Sequence, residues 1–124
     1  MKATFVETSG FQAVREDFIS DEMYARLQFA MMVEPEIGVV MPGCGGLRKM
    51  RIPDPERSKG KRSGARVIYL HVPEAKRFFM IDIYSKDEKV DLSPREKKLM
   101  KEFAETSKRE AIFRYQAWQK GNRT

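Results

Sequence analysis

The sequence has only one cysteine and one histidine, and these shortages exclude several common kinds of functional site. Cys44 alone cannot form an internal disulfide or supply a zinc cluster. The lack of disulfides is typical of proteins in a reducing cytosol. With His71 as the only histidine, most familiar hydrolase sites are excluded, and within a strand-like segment we expect this side chain to be structural. We therefore expect no metal and no other cofactor.

Long apolar runs are also missing. No window approaches the roughly 18 apolar residues of a membrane span, and the N-terminus has no apolar run of signal-peptide length. We therefore expect a cytoplasmic protein that does not associate with membranes. The chain has 124 residues, of which 41% are hydrophobic, and this suffices for one hydrophobic core.

The net charge of +6 comes entirely from one segment, Gly45 to Arg66. That segment contains eight basic and two acidic residues, whereas the other 102 residues contain sixteen of each. Its basic residues are Arg48, Lys49, Arg51, Arg57, Lys59, Lys61, Arg62 and Arg66. A charge run is often only a solvated loop, but so local an imbalance between strand-like sequences favours a polyanion partner.

The first third of the chain predicts a strand and two helices. Ala3 to Glu7 has the pattern of a short strand, and a capping box beginning at Ser9 predicts a helix from about Gly10 to Phe18. Ser20 is a second helix cap, followed by acidic residues in the first turn, and Pro35 ends that helix. The two helices are expected to form a hairpin that covers one face of a sheet.

Strands dominate the middle of the chain. A glycine-rich loop (Pro42 to Gly46) precedes a strand from Leu47 to Ile52, and further strands are predicted at Ala65 to Val72 and Arg77 to Tyr84. Ser93 then begins a helix with a serine cap, a proline and a glutamate. The expected buried stripe of this helix is Leu99, Met100, Phe103 and Ala104. The predicted fold is α+β, with two N-terminal helices packed on a small antiparallel sheet and a C-terminal helix.

The basic residues near the strands form a candidate chemical site. Strand alternation places Lys49 and Arg51 on one face and Arg48 on the other, while Arg66 lies on the paired strand. RNA carries its own nucleophile, the 2′-hydroxyl, so clustered cations can promote cleavage by aligning attack, assisting proton transfer and stabilising the phosphorane. Like charges favour the neutral form of a lysine among arginines, which makes it a better base. The same residues could instead bind a polyanion without cutting it.

Four stretches of the sequence together form an extended pattern: GGLRKMR (Gly45 to Arg51), GKRSGARVIYLHV (Gly60 to Val72), FFMIDIYSKDEKVDLS (Phe78 to Ser93) and PREKKLMKEF (Pro94 to Phe103). This pattern resembles the RelE/HigB toxin superfamily, and HigB-type toxins of bacterial type II toxin–antitoxin systems most closely. The likeness spans about Phe5 to Glu105, so we predict a toxin domain over residues 1–106 and a helical extension over residues 107–124.

The resemblance implies a RelE/ParE-like fold and a ribosome-dependent endoribonuclease that needs no metal and cleaves messenger RNA to inhibit translation. By position, Lys49 and Arg51 match the family's basic pair, and Arg66 matches the arginine that contacts the scissile phosphate. Lys86 falls where relatives place the residue that assists the leaving group. The implied contacts to RNA or the ribosome are Arg57, Lys59, Lys61, Arg62, Tyr84 and Lys89.

The resemblance also implies partners and leaves alternatives. The expected partners are messenger RNA on the ribosome and a cognate helix-turn-helix antitoxin, in a heterotetrameric or larger complex. The rival functions are a noncatalytic toxin of the same fold that poisons DNA gyrase, and a plain RNA-binding or regulatory module. The extension contains Tyr115 and Trp118 and either packs back on the domain or binds a partner. Asp82 could orient an arginine or pair with a neighbour.

Overall fold

The computed structural model describes residues 2–52, 64–88 and 91–122, and within them the chain forms an α+β fold of five strands and three α-helices. The strands are β1 (Thr4–Glu7), β2 (Val39–Val40), β3 (Arg48–Ile52), β4 (Ala65–Val72) and β5 (Arg77–Ser85). The α-helices are α1 (Ser9–Phe18), α2 (Asp21–Val33) and α3 (Pro94–Gly121). A short 3-10 helix, Pro73–Ala75, connects β4 to β5.

The five strands form one mixed sheet in the order β1-β5-β4-β3-β2. The pairings of β3 with β4 and of β4 with β5 are antiparallel, as predicted, and so is the pairing of β3 with β2, a strand that was not predicted. However, β1 lies parallel to β5, so the prediction of a purely antiparallel sheet is wrong. Parallel strands require a long crossover, and the chain between β1 and β5 includes both N-terminal helices. Strand alternation reveals which residues share a face but not the direction of a strand that pairs so far along the chain.

The two N-terminal helices cover one face of this sheet, where Phe11, Leu27 and Met31 pack against strand residues such as Val67 and Met80. Ser20 caps α2 as predicted, with its side chain accepting a hydrogen bond from the Met23 amide. The predicted cap of α1 is wrong by one residue, because Thr8 and not Ser9 accepts the Phe11 amide. The Thr8 hydroxyl also donates to the Ile81 carbonyl, and this ties the start of α1 to β5.

The long helix α3 covers part of the opposite face. Its capping box at Ser93 forms as predicted, and the helix runs without interruption past residue 106. The predicted stripe is partly wrong, since Leu99 and Phe103 are 58% and 45% exposed. The side chains that α3 contributes to the second core are Met100, Ala104, Ala111, Ile112 and Tyr115. None of the helices in the described ranges is long and apolar enough to cross a membrane.

A bulge in β5 adjusts which side chains reach each face. Ile68 pairs with Asp82 and Tyr69 pairs with Met80, so Ile81 is an extra residue in β5. The extra residue lets Met80 and Ile83 both point into the core under α1 and α2, although three positions separate them. Tyr84 consequently faces the α3 side.

Candidate functional site

The strand register brings two of the predicted site residues directly opposite each other. Arg51 on β3 pairs with Arg66 on β4, and Arg66 pairs with Tyr84 on β5. Paired residues of antiparallel strands point to the same face with Cβ atoms about 5 Å apart. Tyr84 belongs to the core on the α3 side, so this row of three residues lies on that face.

Lys49 lies on the same face, one row further along the sheet. It pairs with Ile68, which in turn pairs with Asp82. The two rows are about 7 Å apart because two residues of a strand separate them. We call Lys49, Arg51 and Arg66 the cationic corner. Arg48 points to the opposite face, as the alternation predicted, and donates there to the Gly38 carbonyl at 2.8 Å.

The cationic corner contains positive charge that no carboxylate of the described residues neutralises. Neither Arg51 nor Arg66 forms an ion pair with an acid in the described ranges. Lys49 and Arg51 are exposed, but Arg66 is partly buried, and its Nη1 has no hydrogen-bond partner among the described residues. Like charges placed opposite each other on a sheet are destabilising unless something compensates them. A bound anion such as a phosphate would supply that compensation.

Tyr84 is a packing partner of Arg66. Only 6% of the tyrosine is exposed, and its contact to RNA stays a prediction. Burial raises the pKa of Tyr84, while the nearby Arg66 guanidinium acts in the opposite direction. The phenol is therefore neutral at physiological pH, and the buried ring packs at the end of the row formed by Arg51, Arg66 and Tyr84.

Asp82 is an acidic residue in the row next to Arg66 and Tyr84 on this face, and its role could not be decided from the sequence. Its Oδ1 accepts a hydrogen bond from the Ile83 amide at 2.9 Å, so the carboxylate is oriented by its own backbone. Burial raises the pKa of Asp82, and the charge of Glu88 acts in the same direction. The side chain thus lies beside the cationic corner without forming an ion pair to it among the described residues.

The other predicted site residues lie near one end of the sheet or outside the described residues. Lys86 is exposed and directly follows Ser85, the last residue of β5, at the end of the sheet where Arg66 and Tyr84 pair. The turn there is closed by Glu88, whose amide donates to the Ser85 carbonyl and whose side chain accepts the Ser85 amide. Five of the predicted site residues lie outside the described ranges, namely Arg57, Lys59, Lys61, Arg62 and Lys89.

His71 is remote from this site. It points to the face covered by α1 and α2, where its ring stacks on Phe78 with the centroids 4.5 Å apart. Its Nε2 is buried without a hydrogen-bond partner in the described ranges, and burial lowers its pKa. A neutral imidazole packed in this way agrees with the structural role predicted for it.

The arrangement as a whole is suited to binding a phosphodiester. Two guanidinium groups can hold one phosphate from adjacent strands, and Lys49 reaches the same surface from one row away. Sequence reasoning identified these residues, but it did not anticipate that Tyr84 would be buried or that Asp82 would lie in the neighbouring row. No protein-family model matches the chain.

Proposed function

We propose that this protein is a ribosome-dependent endoribonuclease toxin related to the RelE/HigB superfamily, with its active site at the cationic corner. The observation that carries the proposal is the direct pairing of Arg51 with Arg66, neither of which has a carboxylate partner among the described residues. Two unneutralised arginines side by side are stabilised by an anion, and in RNA the anion is the phosphate that is attacked.

The proposed reaction uses the RNA's own 2′-hydroxyl. Lys49 accepts the proton of that hydroxyl, and the 2′-oxygen then forms a bond to the adjacent phosphorus. Arg51 and Arg66 stabilise the negative charge that develops on the phosphorane. The bond from phosphorus to the 5′-oxygen breaks, and Lys86 donates a proton to that oxygen. The products are a 2′,3′-cyclic phosphate and a 5′-hydroxyl.

The partners follow from the resemblance and are part of the same proposal. Messenger RNA in the decoding site of a cytoplasmic ribosome is the substrate, and a helix-turn-helix antitoxin neutralises the toxin in a heterotetrameric or larger complex. The α1–α2 hairpin on one face of the sheet, with a C-terminal helix after β5, is compatible with the RelE/ParE-like fold.

The test is to map cleavage of translated messages in a reconstituted system, with ribosomes present and absent. We expect cleavage only with ribosomes, and we expect Arg66→Gln to lower its rate about 100-fold, because a preorganised transition-state contact is lost. Arg95→Gln removes the same charge from an exposed position of α3 and is the matched control. It should cleave like the wild type.

The rival functions give different results in the same assay. If Lys49→Ala and Arg66→Gln inhibit translation as strongly as the wild type, the catalytic assignment is wrong. Binding of RNA without cleavage would favour a plain RNA-binding module. Messages left intact in this assay, together with growth inhibition through DNA gyrase when the chain is expressed in cells, would favour the noncatalytic toxin.

A further inference from the structure

A second candidate binding site lies at the opposite end of the sheet. An open cleft of about 760 Å³ is bounded by the start of β1, the turn before β5, the end of α2 and the last turns of α3. The residues that matter most for its chemistry are Lys2, Lys76, Arg77, Tyr115 and Trp118. We call this space the β1–α3 cleft.

The β1–α3 cleft is separate from the cationic corner. Arg77 is the first residue of β5, and Tyr84, which packs beside Arg66, lies seven residues further along the same strand. At about 3.3 Å per residue, the two sites are roughly 20 Å apart. A ligand in the cleft therefore does not use the residues assigned to cleavage.

The lining of the cleft combines aromatic rings with positive charge. Tyr115 and Trp118 lie with their ring centroids 5.8 Å apart and their planes tilted by 33°. Trp118 is 59% exposed, although Ala111 and Ala104, seven and fourteen residues before it on the same helix stripe, are buried. Three cations line the cleft and no acidic residue of the described ranges does. A large exposed ring beside clustered cations is unusual for a surface without a partner.

The backbone of one of these cationic residues is held in place by hydrogen bonds. Lys76 has φ +51°, and it is the only residue other than glycine with a positive φ in the described ranges. Its amide donates to the Pro73 carbonyl at 3.1 Å, and its own carbonyl accepts the Thr4 amide at 3.0 Å. Glycine or asparagine would adopt this conformation at lower cost. The lysine therefore presents its charge from a tightly held turn.

We propose that the β1–α3 cleft binds a short stretch of single-stranded nucleic acid. A base would stack on Trp118 and Tyr115, and Lys2, Lys76 and Arg77 would bind the flanking phosphates. Aromatic platforms beside cations are the general means of binding unpaired nucleotides, and the volume lies in the range of pockets that take one or two of them. An acidic peptide would satisfy the cations, but its carboxylates offer no flat ring to the exposed aromatic pair. The proposal does not depend on the proposed cleavage activity.

The tryptophan itself provides the measurement, because Trp118 is the only tryptophan in the chain. The probe is a six-nucleotide RNA of mixed sequence that carries 2′-O-methyl groups and so cannot be cut by attack of its own 2′-oxygen. A DNA hexamer of the same sequence, adenosine monophosphate and a glutamate-rich hexapeptide are compared with it. We expect both hexamers to quench Trp118 fluorescence in a salt-dependent way. The hexamer that binds with the higher affinity indicates which nucleic acid the cleft prefers.

Two variants locate the binding. Lys76→Asn combined with Arg77→Gln removes two charges while suiting the turn, and should weaken quenching about tenfold and lower the salt slope by about 1.4. Tyr115→Ala should weaken binding about tenfold through loss of stacking. The matched control is Arg95→Gln combined with Lys98→Gln, which removes two charges roughly 25–35 Å away along α3, and its fluorescence should be quenched like that of the wild type. Thermal melts followed by circular dichroism check that each variant is folded.

Several outcomes would overturn the proposal. It fails if neither hexamer quenches Trp118, or if the cleft and control double variants quench equally. It also fails if the mononucleotide binds as tightly as the hexamers, or if the acidic peptide quenches at least as strongly. None of these results depends on Arg66, so loss of the cleavage activity and loss of the cleft site can be told apart.

Discussion

Two buried side-chain nitrogen atoms, one in Arg66 and one in His71, have no hydrogen-bond partner in the described ranges, and the consequences differ. Arg66 Nη1 belongs to a permanently charged guanidinium group in the cationic corner, so a bound anion can complete its hydrogen bonding. His71 Nε2 belongs to a ring stacked on Phe78 under the N-terminal helices. An unpartnered nitrogen there only costs stability, because a buried polar atom has lost its contacts with water.

The pH dependence of stability should follow from His71. Burial lowers its pKa below 6.5, although Glu36 and Glu74 act in the opposite direction and Arg48 acts with burial. The unfolded chain therefore takes up a proton more readily than the folded one, and stability should fall as the pH drops below about 6.5. His71→Phe should raise the free energy of unfolding at pH 7 by roughly 1 kcal/mol, because it keeps a ring and removes the unpartnered nitrogen.

Urea unfolding at several pH values between 5 and 7.5 measures this effect. The curve for His71→Phe should be flatter than that of the wild type over this range, since no other histidine is present. Parallel losses of stability in the two proteins would show that other groups cause the pH dependence.

Among the elements, the contact between the glycine-rich loop and α3 depends on one glycine. A Cβ atom at Gly45 would lie 3.0 Å from the Lys101 carbonyl oxygen and 3.2 Å from the Ala104 Cβ. The loop carries Met41, Cys44 and Leu47 into the core beneath α3, so its close approach to the helix completes that core.

Gly43 offers a matched control for this contact. Gly43 and Gly45 have φ values of +72° and +71°, but a Cβ at Gly43 would meet only the Lys97 side chain, at 3.9 Å. Gly43→Ala should therefore cost about 1 kcal/mol through backbone strain alone. Gly45→Ala should cost a further 1–3 kcal/mol through overpacking, measured by chemical unfolding. Equal losses in the two variants would contradict the role given to the contact.

Local signals were enough to predict most elements of the fold. The caps at Ser20 and Ser93 and the strand Ala65 to Val72 were predicted correctly, because capping and alternation involve neighbouring residues. The direction of β1 and the two-residue strand β2 were not predicted. Both depend on pairing with distant strands, which leaves little trace in a short segment.

The candidate site was predictable to a similar extent. Alternation placed Lys49 and Arg51 on one face, and the register then placed Arg66 directly opposite Arg51. The burial of Tyr84 could not be foreseen, because it depends on the bulge at Ile81. The β1–α3 cleft was also missed, since its lining residues come from four separate parts of the chain.

For the whole molecule, the distribution of charge gives a test of the proposed association with ribosomes. The segment Gly45 to Arg66 supplies the entire net charge, and much of it lies outside the described residues. Replacing Lys59, Lys61 and Arg62 with glutamine should weaken ribosome association and flatten its dependence on salt, because fewer counterions are released on binding. Co-sedimentation with ribosomes at increasing salt concentrations provides the measurement.

The control for this experiment removes three charges elsewhere. Arg95, Lys97 and Lys98 are exposed residues of α3, and their replacement with glutamine changes the net charge by the same amount. That variant should keep most of the wild-type salt dependence. If the two triple variants behave alike, total charge and not the basic segment determines the association.

The parallel pairing of β1 with β5 also has a consequence for the order of folding. The Thr8 side chain hydrogen-bonds to Ile81, 73 residues away, and β1 pairs within the described sheet only with β5. During synthesis, the first strand therefore cannot pair until β5 has left the ribosome. Closing so long a loop slows folding, so the antiparallel strands β3 to β5 should assemble first and provide the edge on which the N-terminus docks.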